Sequence, residues 1–105
     1  MTSPTLEPPP TADDLLVGRA NLLGQVARYI ACWSLDLTRL SITWDLRVEY
    51  TTQDYRAAEA VAAAFGAVQR HDRRTVVEEP RVWAEESWSS DVLTVAWCKR
   101  LEVAS

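Results

Sequence analysis

The pattern of apolar and polar positions is most regular between Leu40 and Tyr50, where every even residue is apolar and every odd residue is polar. Side chains of a β-strand alternate between two faces, so this segment predicts one long, half-buried strand. The alternation places Trp44 on the apolar face and therefore in the core. The polar face would be open sheet, and a second place to look for a partner, if no helix covers it.

A second pattern runs from Thr11 to about Trp33, where apolar residues recur at three- and four-residue steps and predict an amphipathic helix. Thr11 precedes two acidic residues, as is typical of an N-cap. Gly18 and Gly24 fall inside this helix, where each costs about 1 kcal/mol, which indicates either a break in the helix or a close packing contact, and we favour packing. Trp33 falls on the apolar side and is predicted to lie in the core.

The alanine-rich segment after Tyr50 predicts a second helix. Thr52 is the predicted N-cap, Asp54 lies in the first turn, and Gly66 is the predicted left-handed terminator. Because its apolar face is built largely from small alanines, this helix is the best cover for the strand from Leu40 to Tyr50.

The last third of the chain predicts a hairpin with strands at 75–86 and 91–103 around a turn at 88–90. Charge pairing favours a register in which Ser87 lies opposite Asp91 and Glu79 lies opposite Lys99. Pro80 cannot donate to a sheet ladder, so the first strand is predicted to be bulged or at an edge. The second strand is apolar on both faces and is expected between the other two long strands.

These elements predict an α+β fold: an N-terminal helix, then a β-α-β-β antiparallel sheet of three to four strands with the helices packed mainly on one face. A short strand is expected at 67–70, followed by a charged turn at 71–74. Residues 11–105 are expected to form a single domain. Met1–Pro10 contains four of the five prolines and is predicted to be a disordered leader, with a proline-rich docking peptide as the alternative.

The composition of the chain argues against several classes of partner and cofactor. A net charge of −4 and a pI near 4.9 argue against nucleic acid and anionic membranes as partners. No apolar run is long enough to cross a bilayer, and no secretion signal is recognised, so we expect a cytoplasmic protein. Cys32 and Cys98 are predicted to be free thiols. With a single histidine and no glycine-rich phosphate loop, we expect no metal and no cofactor.

Catalysis finds no support in the sequence, and we predict that the protein is not an enzyme. His71 precedes Asp72, but neighbours on a turn rarely have the geometry of a base and its orienting carboxylate. The two glutamate doublets at 78–79 and 85–86 place one carboxylate on each strand face, so ion pairing explains them better than acid–base chemistry.

Aromatic and basic residues are the candidate binding groups. Trp83 and Trp97 are expected on one face of the hairpin, with Arg81 opposite Trp97. Trp88 falls in the predicted turn, where it is either a lid over the core or an anchor presented to a partner. Three arginines of the charged turn, Arg70, Arg73 and Arg74, could hold a phosphate or an acidic partner, the alternative being a solvated turn.

The segments ITWDLRVEY, YRAAEAVAAAFGA and VWAEESWSSDVLTVAWCKRLEV resemble small uncharacterised α+β proteins of actinobacteria and their phages or mobile elements. The resemblance implies an accessory or interaction role and brings no activity. We predict a small non-catalytic binding or regulatory protein, an inhibitor or accessory factor, that acts through protein–protein contacts of the tryptophan-rich hairpin. Its partner is another protein or a second copy. The alternative is a nucleic-acid-associated protein that uses the basic turn at 70–74, with Lys99 and Arg100 on a neighbouring strand.

Overall fold

The computed structural model describes residues 11–101. In chain order they form α1 (Ala12–Cys32), β1 (Arg39–Ile42), β2 (Val48–Thr52), α2 (Tyr55–Ala64), β3 (Gln69–Glu78), β4 (Arg81–Ser89) and β5 (Leu93–Arg100). The strands form a five-stranded sheet in the order β1-β2-β5-β4-β3. The α+β class and the N-terminal helix are confirmed, whereas the prediction of three to four strands is wrong. The predicted leader, Met1–Pro10, lies outside the described residues.

Helix α1 begins and ends where its local signals place it. The Thr11 hydroxyl accepts from the Asp14 N–H at 3.2 Å, and the Asp14 carboxylate accepts from the Thr11 N–H at 3.1 Å, which completes a capping box. Close packing at Gly18 and Gly24 is not found in the described part of the chain, because a Cβ atom at either position would meet nothing within 4 Å.

The segment from Leu40 to Tyr50 is two antiparallel strands rather than one, which corrects the prediction. The chain reverses at 43–47, where the Thr43 N–H donates to the Arg47 carbonyl at 2.8 Å and Leu46 adopts a left-handed φ of 58°. Trp44 lies at the tip of this turn and is 96% exposed, so its assignment to the core is wrong. The alternation of apolar and polar residues continues through this turn, so the pattern does not reveal the reversal.

Helix α2 follows β2 directly. Its N-cap is Asp54 rather than Thr52, because the Asp54 carboxylate accepts from the N–H groups of Arg56 at 3.0 Å and Ala57 at 3.4 Å. The Thr52 hydroxyl instead accepts from the Asp54 N–H at 3.0 Å. Gly66 has a φ of 72° immediately after the helix, as predicted for its terminator.

Both helices pack on the same face of the sheet. The core joins strand side chains to one face of each helix, and its fully buried members include Val26, Val48, Tyr50, Ala58, Val61, Leu93 and Val95. Burial of each larger aliphatic side chain contributes about 1.5–3 kcal/mol. Trp33 is 68% exposed at the C-cap of α1, where the chain turns away from the sheet, so its predicted burial is wrong.

The predicted strand at 75–86 contains a second missed reversal. Chain direction changes between β3 and β4 at Glu79–Pro80, with Glu78 paired to Arg81. One extra reversal inverts the direction of the final strand, so β5 is parallel to β2 and the sheet is mixed, whereas an antiparallel sheet was predicted. The placement of the last strand between the other long strands is confirmed, because β5 lies between β2 and β4.

The register of the last hairpin also differs from the prediction. Ser87 lies opposite Ala96, and Glu86 lies opposite Trp97, so Glu79 does not face Lys99. The reason is that the turn is centred after Ser89, where the Ser90 hydroxyl accepts from the Leu93 N–H at 3.2 Å. None of the described helices is both long and apolar enough to span a bilayer.

Candidate functional site

The face of the sheet opposite the helices is uncovered by any other described element. We call it the open face; its side chains are half-buried and belong to Glu49, Thr51, Trp83, Glu85, Ser87, Thr94, Ala96 and Cys98. The alternation of buried and half-buried positions along β2, β4 and β5 follows from the two-residue period of a strand. Of the polar residues predicted on this surface from the segment 40–50, Ser41 lies in β1 opposite Glu49 of β2, whereas the others lie in the turn at 43–47.

A groove crosses the open face near the turn between β3 and β4. We call it the Trp83 groove; it is lined by Thr38, Thr51, Gln53, Pro80, Arg81, Trp83, Glu85, Cys98 and Arg100. The Trp83 indole N–H donates to the Glu85 carboxylate at 3.1 Å, which fixes the ring in a half-buried position. Arg100 lies directly opposite Trp83 on β5, and Arg81 precedes it on β4 by two residues. The groove therefore combines one aromatic ring with two exposed guanidinium groups.

A second, more polar depression lies toward β3 on the same face. His71 Nε2 is 3.3 Å from the Ser89 hydroxyl, and Arg74 forms an ion pair with Glu85. Among the described residues, Asp72 makes no ion pair with His71, so this carboxylate does not orient the imidazole. Burial raises the pKa of the Cys98 thiol, and the neighbouring carboxylates raise it further, so the thiol is protonated at neutral pH.

The helix side of the sheet holds a buried carboxylate that sequence reasoning missed. Glu86 is 3% exposed and accepts hydrogen bonds from the Tyr55 hydroxyl and, at 3.3 Å, from Arg70 Nε. Arg73 Nε lies 3.4 Å from the second carboxylate oxygen, an ionic contact whose geometry does not make a hydrogen bond. The Arg73 guanidinium also lies 4.7 Å from the centre of the Trp97 ring. We call these five residues the Glu86 cluster.

Opposing effects set the pKa of the Glu86 carboxyl. Burial on its own would raise this pKa, but hydrogen bonds from Tyr55 and Arg70, with the charges of Arg70 and Arg73, outweigh it and lower the pKa below its usual value. The same hydrogen bond is the main cause of a raised pKa for the Tyr55 phenol. Glu86 is therefore ionised at neutral pH and carries the charge that its two arginines neutralise.

A β-bulge brings both arginines to the same carboxylate. The register of β3 shifts between His71 and Arg74, which leaves Asp72 and Arg73 without partners on β4. Arg70 and Arg73 consequently contact Glu86 on the helix side, while His71 and Arg74 contact partners on the open face. The predicted charged turn at 71–74 is thus a bulged part of β3, and the predicted short strand at 67–70 is its beginning.

The predicted binding residues separate into two groups. Trp88 is 8% exposed and packs on Tyr55 at 5.5 Å between ring centres, so it is a lid over the core rather than a presented anchor. Trp97 is also buried against Tyr55. The prediction that Trp83 and Trp97 share a face is wrong, because the actual register places Glu86 opposite Trp97 and Trp83 opposite Arg100. Of the predicted binding residues, Trp83 and Arg81 meet in the Trp83 groove.

One signal for Glu86 was present in the sequence. Ala84 and Trp88 lie two residues before and after it, so the two-residue period places an acidic side chain on an apolar face. A charge in that position requires a cationic partner. The position of Arg100 opposite Trp83 could not be predicted in the same way, because it depends on the register between β4 and β5.

The chain has no match among protein-family models, curated proteins or solved structures. The resemblance to small actinobacterial and phage proteins therefore stays a prediction.

Proposed function

We propose that the protein is a small non-catalytic binding or regulatory protein that contacts another protein through the Trp83 groove. The observation that carries this proposal is an aromatic ring held half-exposed between two arginines on an uncovered sheet face. Tryptophan and arginine are the residue types most enriched at the energetic centres of protein interfaces. The proposal keeps the predicted contact through the tryptophan-bearing hairpin; of the predicted binding residues it retains Trp83 and Arg81, and it adds Arg100.

The partner surface is expected to be acidic or polar around one apolar side chain. Arg81 and Arg100 place positive charge at the groove, although the chain as a whole carries −4. Such a local reversal of charge orients an incoming partner and excludes basic surfaces. We place this activity in the cytoplasm, because Cys32 and Cys98 are free thiols, as is usual in a reducing compartment.

The basic-turn alternative, a nucleic-acid-associated protein, has less support. Arg70 and Arg73 pair with Glu86, and Arg74 pairs with Glu85 on the other face of the sheet. A phosphate backbone is bound by unneutralised cations presented on one surface. The three arginines are paired with two carboxylates, so most of their charge is compensated, and they are divided between two faces of the sheet.

Substitution of Trp83 by alanine tests the proposal. Immobilised wild-type protein and the Trp83→Ala variant are compared for the proteins they retain from host extract by quantitative mass spectrometry. We expect the specifically retained protein to fall at least tenfold with Trp83→Ala, since loss of an interface anchor costs about 2 kcal/mol or more.

Trp44→Ala is the matched control, because it removes an equally large and more exposed indole from the turn between β1 and β2. It should leave retention unchanged. Circular dichroism confirms that both variants are folded. Equal retention by wild type and Trp83→Ala would reject the groove as the binding surface.

A further inference from the structure

Strand β3 forms one edge of the sheet and leaves half of its backbone groups without a strand partner. Such an edge can pair with a strand from another molecule unless the sequence blocks it. Natural edges are blocked by bulges, prolines or inward-facing charges. The edge of β3 is blocked at both of its ends and open in the middle.

The open stretch has five residues, from Arg74 to Glu78. On one side the bulge at 72–73 ends the regular strand, and on the other side the turn at Glu79–Pro80 ends it. Between these limits the register with β4 is continuous. The interior of the stretch is Thr75, Val76 and Val77, three β-branched residues that favour a strand, and the Val77 side chain is 62% exposed.

The charges of residues 74–78 are complementary to those of the same residues in a second copy that runs antiparallel. A positive residue, Arg74, begins it, and a negative residue, Glu78, ends it. Antiparallel pairing of two copies about Val76 places each Arg74 opposite the Glu78 of the other copy and Val76 opposite Val76. Parallel pairing in the same register would place like charges opposite each other, which is destabilising.

Neighbouring symmetric registers are less favourable. Opposed residues in an antiparallel pair point to the same face of the sheet, and a two-fold axis perpendicular to the sheet keeps each residue number on the same face in both copies. The axis must therefore pass beside a residue that lies opposite itself, and not between two residues. Centring on Val77 would require residues 79 and 80 to continue the strand, but the chain turns there, so the paired stretch shortens to 76–78 and Arg74 has no opposed residue. Centring on Thr75 places Asp72 opposite Glu78.

We infer that two copies of the chain associate through antiparallel pairing of the β3 stretch 74–78, centred on Val76, to form a continuous ten-stranded sheet. The helices leave this edge accessible, because α1 lies over β1 and β2 and α2 lies over β2 and β5. Glu78 has no ion-pair partner among the described residues, and the Arg74 side chain, although it pairs with Glu85, is 74% exposed and can contact a second carboxylate. This pairing uses the outer edge of β3, whereas the Trp83 groove lies on the face of the sheet; the two surfaces adjoin, because Val76 lies opposite Trp83 and Glu78 opposite Arg81.

Sedimentation velocity of the full chain tests this inference. The wild-type mass is expected to rise from 11.8 kDa toward twice that value as the concentration increases from about 10 µM to about 1 mM. Glu78→Arg replaces both symmetric attractions by repulsions, so its dimer dissociation constant should rise at least tenfold. Arg74→Glu should have the same effect.

The double variant Arg74→Glu with Glu78→Arg exchanges the two charges and should recover dimerisation. Glu59→Arg makes the same change in net charge at an exposed position of α2 and should behave as wild type. A wild-type mass of 11.8 kDa at every concentration would overturn the dimer. Unaltered dimerisation of Glu78→Arg, or no recovery in the folded double variant, would overturn the register.

Discussion

At the scale of single residues, Glu86 connects helix α2 to strands β3 and β4, with which this helix has few other contacts. The side chain projects from β4 and binds Tyr55, the first residue of α2, together with Arg70 and Arg73 of the edge strand. A buried carboxylate is costly unless it is paired and hydrogen-bonded. In the Glu86 cluster, one carboxylate oxygen accepts hydrogen bonds from Tyr55 and Arg70, and the other lies beside the charge of Arg73. These contacts also hold the bulge of β3 in place.

Substitution of Glu86 by glutamine should destabilise the protein by about 1–3 kcal/mol at neutral pH, because two partly exposed arginines lose their counter-charge. Urea unfolding followed by tryptophan fluorescence measures this change. The Glu86 pKa is lowered by folding, so its stabilisation is complete above the unfolded value of about 4.3 and is lost as the pH falls through the lower folded value.

The free energy of unfolding of wild type should therefore fall more steeply below about pH 5 than that of Glu86→Gln. Tyr55→Phe is the matched comparison, since it keeps both the carboxylate and the ring that packs edge-to-face on Trp97. It should retain a pH dependence that is smaller than in wild type. Parallel acid profiles for wild type and Glu86→Gln would show that the carboxylate contributes nothing to stability.

At the scale of secondary-structure elements, both helices end in the same way. After α1 the Leu35 N–H donates to the Ile30 carbonyl at 2.9 Å, and after α2 the Ala67 N–H donates to the Ala62 carbonyl at 2.9 Å. These are Schellman motifs, which place the residue after the C-cap in the left-handed region. That residue is Ser34 in α1, with a φ of 50°, and Gly66 in α2.

Reciprocal substitutions at the two helix ends should have opposite effects. Ser34→Gly should stabilise the protein by about 0.5–1 kcal/mol, because it relieves a left-handed residue that has a Cβ atom. Gly66→Ala should destabilise it by about 1 kcal/mol for the same reason. Thermal unfolding measured by circular dichroism compares them, and a lower melting temperature for Ser34→Gly would refute the explanation.

Local signals explain which elements the sequence could predict. Helix α1 and the end of α2 were predictable because caps and terminators act within a few residues. The sheet was less predictable, because the reversals at 43–47 and at Glu79–Pro80 interrupt stretches whose strand signal continues across them. The second reversal also sets the direction of β5. Because this turn was not predicted, β5 was expected to be antiparallel to β2, whereas the two strands are parallel.

The candidate site was predictable only in part, for a related reason. The sequence identifies Trp83 and Arg81 as binding candidates, but register decides which face each side chain occupies. A displaced turn in the last hairpin moved Trp97 into the core and left Trp83 on the open face. The basic cluster at 70–74 was visible as charge, whereas its division between two faces depends on a bulge that composition does not reveal.

At the scale of the whole molecule, the two helices cover the sheet unevenly. Strands β2 and β5 lie beneath them and contain most of the fully buried strand side chains, whereas almost every side chain of β3 is exposed. Regions with few buried contacts open locally at a lower free energy than the core. The edge strand should therefore be the least stable part of the sheet, held by its ladder with β4 and by the Glu86 cluster.

Hydrogen exchange should reveal this gradient. At a concentration low enough to keep the chain monomeric, the hydrogen-bonded amides of β3 are expected to exchange at least tenfold faster than those of β5, because β3 can open without unfolding the core. Exchange monitored residue by residue by NMR measures the ratio. Strand β1 is the internal control, since it is also an edge but lies under α1. Equal protection of β3 and β5 would mean that the sheet opens as one cooperative unit and that the uneven helix cover has no effect on its stability.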